Sequence, residues 1–119
     1  MGLVNSPKIN LLIAMVLTIV LFILGGHPST AGMFSSTGHD AAHLGAFALM
    51  ALFYARGLPR LHWLVVALLV VAIGGAHELF QLTTRAHDAE LDDFLLNSAG
   101  AFLGTTSYRL LASRPAHKE

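Results

Sequence analysis

The 119-residue chain has no cysteine, and only 12% of its residues are charged. Without cysteine there is no disulfide framework, no thiolate nucleophile and no cysteine-ligated metal site. Seven basic and seven acidic residues give a formal net charge of zero, and the basic residues are scattered rather than clustered. A basic patch of the kind that binds nucleic acid is therefore missing. These absences exclude a disulfide-stapled domain and a nucleic-acid partner.

Apolar side chains are what the sequence has in abundance. Hydrophobic residues make up 55% of the chain and the mean hydropathy is +0.65, which lies outside the normal range of a soluble domain. The first apolar segment could be a signal peptide, but three more apolar segments follow it, which favours a retained first span. The sequence predicts one all-α domain over residues 1–119, an integral membrane bundle of four transmembrane helices at about 9–25, 40–56, 61–82 and 93–111.

The segments between these spans are short. Residues 25–38 are rich in glycine, serine, threonine and proline, which is typical of a loop. The turn at 56–60 is too short for a domain, so the second and third helices should be antiparallel neighbours. Residues 83–92 form the remaining loop.

Basic residues divide unequally between the two sides of the predicted bundle. Arg85 is alone on one side, and the other side carries six basic residues: Lys8, Arg56, Arg60, Arg109, Arg114 and Lys118. Short cytoplasmic loops carry the excess of lysine and arginine. We therefore expect both termini and the 56–60 turn to be cytoplasmic in a multi-pass protein.

Polar residues, together with glycines and two apolar residues, recur at intervals of three and four along three of the helices. Each set therefore shares one helical face. The sets are His39, His43, Phe47 and Met50 on the second helix, Gly74, Glu78, Gln81 and Arg85 on the third, and Asp93, Asn97, Gly100 and Gly104 on the fourth. Counting at ~1.5 Å per residue places Glu78 ~25 Å into a ~30 Å hydrocarbon core, close to the outer boundary. His43 and Asn97 come out roughly 5 to 6 Å below the same boundary. We expect one shallow polar cluster that is open to the outside.

Each of these residues also has a structural interpretation. A carboxylate at Asp92 or Asp93 can cap the fourth helix, and Gln81 and Asn97 can act as interhelical hydrogen-bonders. Arg85 can pair with a loop carboxylate or bind an anionic head group. Gly74, Gly100 and Gly104 are interpreted as packing positions that let another helix approach.

Glu78 is the hardest residue to explain structurally, because no helix end needs it and no lysine or arginine lies four residues away. Intramembrane ionisable groups are functional-site candidates. Hypothetical catalytic residues are His43, Glu78 and Asp93, and hypothetical ligand-binding residues are His39, Gln81, Arg85 and Asn97. His77 lies a quarter turn off the Glu78 face, and neither it nor His27, His62, His87 and His117 is assigned a role.

The pattern Glu78-x-x-Gln81, then a loop with a basic residue, then Asp93-x-x-x-Asn97-x-x-Gly100-x-x-x-Gly104, with His43-x-x-x-Phe47 one helix earlier, resembles the VanZ-like family of small bacterial membrane proteins. The resemblance covers residues 39–105. It implies a location in the bacterial inner membrane and an association with low-level teicoplanin resistance, without an established reaction. The chain departs from the family in having His39-Asp40 where Asp-Lys is usual, and His87 near the usual position of the loop arginine.

Three kinds of function remain open. The leading interpretation is a protein whose outward pocket binds or acts on a membrane lipid or lipid-linked envelope precursor, with glycopeptide tolerance as the phenotype. The second is an intramembrane hydrolase or transferase that uses His43 and Glu78, and the third is a structural subunit in a homo-oligomer or beside a larger membrane protein. His39, His43 and Glu78 could together supply three zinc ligands, but two histidines one turn apart at a helix start are commoner than a metal site. We expect no tightly bound metal and no cofactor.

Overall fold

The structure is a computed structural model that describes residues 6–26, 36–84 and 91–112. Within these residues it contains four helices and no strand, so the all-α prediction is confirmed. The helices are α1 (Pro7–Gly26), α2 (Ser36–Gly57), α3 (Trp63–Thr84) and α4 (Leu91–Ala112).

The helix boundaries differ from those predicted. The helix α2 begins at Ser36, so the prediction that residues 36–38 belong to a loop is wrong, and α4 begins two residues before Asp93. Hydropathy marks where apolar side chains start, whereas serine, threonine and aspartate are favourable in and just before the first turn of a helix. The polar residues therefore extend both helices beyond their apolar segments.

His62, which has no role in the predicted site, lies directly before the first residue of α3. The backbone N–H of Leu64 donates a hydrogen bond to Nδ1 of His62 at 3.2 Å. This bond satisfies one of the amide groups that have no partner within the first turn of a helix. It also explains why α3 begins at Trp63 rather than at the predicted residue 61.

Consecutive helices run antiparallel. Gly57, at the end of α2, lies against the backbone of Leu11 near the start of α1, and Arg109, near the end of α4, lies over the ring of Trp63. The starts of α1 and α3 and the ends of α2 and α4 thus share one end of the bundle. We call it the basic end, because it carries Lys8, Arg56, Arg60 and Arg109.

The most extensive packing joins α2 to α4, which are not neighbours in sequence. Two glycines of α4 make the approach close. A Cβ atom built on Gly100 would lie 2.7 Å from the carbonyl oxygen of Leu44, and one built on Gly104 would overlap the carbonyl oxygen of Ala48. Both glycines therefore lie at the helix crossing that their spacing predicted.

The exterior of the bundle is apolar. Phe47, Met50 and Val70 are fully buried in the core, yet many large hydrophobic side chains face outward, such as Ile23 at 60% exposure and Leu68 at 60%. Among the described residues, Pro7–Leu24 and Trp63–Gln81 are long and apolar enough to cross a membrane. The helices α2 and α4 fall short of that level because they contain more polar and small residues over their whole length than α1 and α3 do.

Candidate functional site

The polar faces of α2, α3 and α4 meet inside the bundle, in the half away from the basic end. Four side chains there lie in contact or near contact, and we call them the polar cluster: His43, His77, Glu78 and Asn97. All four are buried. The spacing of three and four in the sequence is what brings three of them together, because it turns one face of each helix toward the same interior.

Asn97 is the central residue of the polar cluster. Nδ1 of His43 lies 2.7 Å from Oδ1 of Asn97, and Nδ2 of Asn97 donates to Oε1 of Glu78 at 3.4 Å. An amide oxygen can only accept a hydrogen bond, so Nδ1 of His43 carries the proton in this pair. In the neutral imidazole that arrangement makes Nε2 the proton acceptor. Asn97 thereby fixes the tautomer of His43 and links it to the carboxylate.

His77, to which the sequence pattern assigned no role, also lies in the polar cluster. It is 1% exposed, and its Nδ1 lies 3.9 Å from Oε1 of Glu78. Its ring packs edge-on against Phe22 at 5.2 Å and faces His43 at 6.2 Å between ring centroids. Neither ring nitrogen has a hydrogen-bond partner among the described residues, and a buried polar group without one costs stability.

The burial of His77 has a tertiary cause. Successive residues of a helix point about 100° apart, so His77 cannot share the face of Glu78 completely. The helix α1 packs beside α3 and covers that flank with Phe22. One signal could have revealed it: His77 lies three residues after Gly74 and four before Gln81, which is the spacing of a broad inward face.

The remaining predicted site residues fall into two groups. Gln81 and Asp93 are buried on the predicted faces. Asp93 is the third residue of α4, where a carboxylate also interacts favourably with the helix dipole, so its structural interpretation still stands. Arg85 and the side chain of His39 lie outside the described residues.

The glycine at position 74 sets the spacing inside the cluster. A Cβ atom added there would lie 3.1 Å from Cβ of Asn97 and 3.3 Å from Cε1 of Phe47. Both distances are shorter than ordinary carbon contacts of about 3.5 to 4.0 Å. Gly74 thus lets α3 and α4 come close enough for Asn97 to reach Glu78.

The arrangement supports proton transfer or polar binding more readily than metal binding. Nε2 of His43 can accept a proton, and Glu78 can accept hydrogen bonds or a proton. Among the side chains that the structure describes, no group of three histidines or carboxylates is placed to hold a metal ion. The zinc alternative includes His39, whose side chain is outside that set.

No family model, no curated protein and no solved structure matches the chain.

Proposed function

We propose that the chain is a multi-pass protein of the bacterial inner membrane, with four spans and a polar cluster that binds or modifies a lipid-linked component of the cell envelope. The observation that carries this proposal is the inverted distribution of side chains. Ionisable and amide groups are buried in the bundle, while leucine, isoleucine and valine cover its exterior.

The exterior supports the placement in a membrane. Leaving one large aliphatic side chain in water rather than in an apolar medium costs about 1.5 to 3 kcal/mol. The exposed set comprises Leu12, Met15, Val16, Ile19, Val20, Ile23, Leu24, Leu49, Leu61, Leu64, Val65, Leu68, Leu69, Leu79, Leu95, Phe102, Leu103, Leu110 and Leu111. Except for Leu61, these side chains come from all four helices, most of them from α1, α3 and α4, and large exposed apolar patches mark protein or membrane interaction sites. Lipid removes this cost.

The charges support one orientation. Four basic residues lie at the basic end: Lys8, Arg56, Arg60 and Arg109. The carboxylates whose side chains the structure describes, Glu78 and Asp93, lie toward the other end. Lysine and arginine accumulate on the cytoplasmic side of membrane proteins. With the basic end in the cytoplasm, both termini are cytoplasmic and the polar cluster lies near the outer face.

The chemistry of the polar cluster suits an amphiphilic ligand. His43, Glu78 and Asn97 together offer a base, a carboxylate and an amide, which can bind hydroxyl, amide or phosphate-linked sugar groups. The surrounding exterior is apolar and can accommodate the hydrocarbon part of the same molecule. Together with the VanZ-like pattern of residues, this chemistry is the basis for proposing glycopeptide tolerance, teicoplanin included, as the phenotype.

An intramembrane hydrolase or transferase is the second candidate, and one observation favours it. Asn97 holds His43 in the tautomer whose Nε2 accepts protons, which is how a second residue prepares a histidine for general-base catalysis. Turnover would distinguish this candidate from binding. A lipid that remains chemically unchanged during purification supports binding, whereas a product released from it supports the enzyme.

The experiment that tests the proposal compares the lipid that co-purifies with the unaltered protein and with Glu78→Gln. The substitution retains the shape and a hydrogen-bond acceptor for Asn97 but removes the titratable charge. We expect the melting temperature in detergent to be unchanged or slightly higher, because the desolvation of an ion is relieved, and the lipid identified by mass spectrometry to be lost.

Gly100→Leu is the contrasting variant, since it forces α4 away from Leu44 and should lower the melting temperature. If Glu78→Gln retains the lipid and the phenotype in full, Glu78 is neither an acid, a base nor a charge partner, and the polar cluster is a packing feature.

A further inference from the structure

A second candidate site lies at the basic end, away from the polar cluster. It is a cavity of about 340 Å³ between α2, α3 and α4. Buried Ala55 and Val66 line its apolar part, and its more exposed wall includes Leu61, Trp63, Tyr108 and Arg109. The cavity therefore combines an apolar interior with one cationic and two aromatic side chains.

Arg109 is held in position by an aromatic ring. Its guanidinium carbon lies 5.1 Å from the centroid of the Trp63 ring, within the range of a cation–π interaction. That interaction uses the face of the indole ring, and the guanidinium keeps the planar fork of N–H donors that matches phosphate. The stack thus orders an anion-binding group at the wall of the cavity.

The described charged side chains at this end of the bundle are basic. Lys8, Arg56 and Arg60 lie at the same end. The carboxylates whose side chains the structure describes, Glu78 and Asp93, lie toward the opposite end. No carboxylate whose side chain the structure describes lines the cavity. An anion that approaches Arg109 therefore approaches the end of the bundle at which the described basic residues lie.

We propose that this cavity binds the headgroup phosphate of an anionic phospholipid in the inner leaflet. Arg109 binds the phosphate, and Trp63 and Tyr108 lie at the level of the headgroups, where such residues are enriched. The exposed Leu110 and Leu111 of α4 follow Arg109 directly and provide apolar surface for an acyl chain. A volume near the lower limit of small-molecule sites, about 300 Å³, suits a headgroup rather than a whole lipid.

This inference rests on the membrane placement that we propose and on the basic end facing the cytoplasm, but not on the function of the polar cluster. Trp63 is the only tryptophan of the chain, so its fluorescence reports on this site alone. The full chain is reconstituted into vesicles of equal parts phosphatidylcholine and phosphatidylglycerol. In parallel samples, one lipid or the other carries bromine on its acyl chains, which quenches a tryptophan that the lipid contacts.

For the unaltered protein we expect phosphatidylglycerol to bind beside Trp63 with a preference of roughly fivefold, the effect of one basic residue on an anionic lipid surface. Arg109→Gln should abolish the preference, and Arg109→Lys, which retains the charge but not the planar fork, should leave a smaller preference than arginine does. Lys8→Gln is the matched control, because it removes the same charge from the same end but does not line the cavity; the preference should survive.

Equal quenching by the two lipids in the unaltered protein would overturn the site, as would a preference that persists in Arg109→Gln. Quenching by neither brominated lipid would have a different meaning. It would show that Trp63 does not contact a bilayer, and would overturn the membrane placement together with this site.

Discussion

Replacing Gly104 with alanine adds one methyl group at the closest approach of α2 and α4. The new Cβ atom would overlap the carbonyl oxygen of Ala48 and lie 2.8 Å from Cβ of Ala51. Carbon atoms in contact prefer a separation of about 3.5 to 4.0 Å, so the two helices must move apart by about 1 Å. A backbone carbonyl cannot rotate away as a flexible side chain can.

This displacement of α2 from α4 should change both the stability of the bundle and the polar cluster. Overpacking of a tight core costs about 1 to 3 kcal/mol, and the gain in helix propensity from glycine to alanine returns at most about 1 kcal/mol. The bond between His43 and Asn97, 2.7 Å long, joins the same two helices. A shift of about 1 Å would lengthen it beyond the range of a hydrogen bond. We expect a net loss of about 2 kcal/mol and a weakened polar cluster.

Gly45→Ala is the matched control, since a Cβ atom at Gly45 would have nothing within 4 Å. The chemical change is identical and lies in one of the same two helices. The assay is thermal unfolding of the purified protein in detergent, followed by circular dichroism. Gly104→Ala should melt at a lower temperature than the unaltered protein, and Gly45→Ala at the same or a higher one. Equal melting temperatures for the two variants would refute the close crossing of α2 and α4.

Two further predictions concern orientation and His77. Because the chain has no cysteine, a cysteine introduced at the exposed Thr83 should react with a membrane-impermeant maleimide in intact cells, whereas one at the exposed Pro59 should react only after lysis; the reverse pattern would place the polar cluster on the cytoplasmic side. His77→Phe should raise the melting temperature, by the equivalent of about 1 to 3 kcal/mol, because it removes two buried nitrogens that have no hydrogen-bond partner in the described part of the chain while retaining an aromatic ring beside Phe22. If it also abolishes lipid retention, His77 belongs to the working site; a lower melting temperature would contradict the idea that its nitrogens lack partners.

Helix geometry explains how much of the site could be predicted from the sequence. A spacing of three and four residues fixes which side chains share a face, and counting residues from the ends of the spans fixes their depth. These two rules are enough to bring His43, Glu78 and Asn97 together. They require no knowledge of which helices are neighbours, because all three polar faces turn inward.

Features that depend on the choice of neighbours could not be predicted. Gly100 and Gly104 indicate that some helix approaches α4, but only the packing shows that it is α2. His77 is buried because α1 lies beside α3, and the spacing within α3 alone gives only a weak indication of this. The pairing of Trp63 with Arg109 joins residues distant in sequence, and no periodic pattern marks it. The first residues of α2, α3 and α4 also differ from the predicted ones, because hydropathy does not measure the backbone hydrogen bonds that define a helix end.

The pairing of α2 with α4 also has a consequence for biosynthesis. The two helices that are apolar enough to enter a bilayer by themselves are α1 and α3, and each precedes a helix that is not. During synthesis of a membrane protein, α2 would emerge with His43 and Phe47 facing no partner, and α3 would have to be completed before α4 could cover them. In the four-span arrangement that we propose, the two less apolar helices are therefore made alternately with the two more apolar ones, and α2 lacks its main packing partner until α4 is inserted.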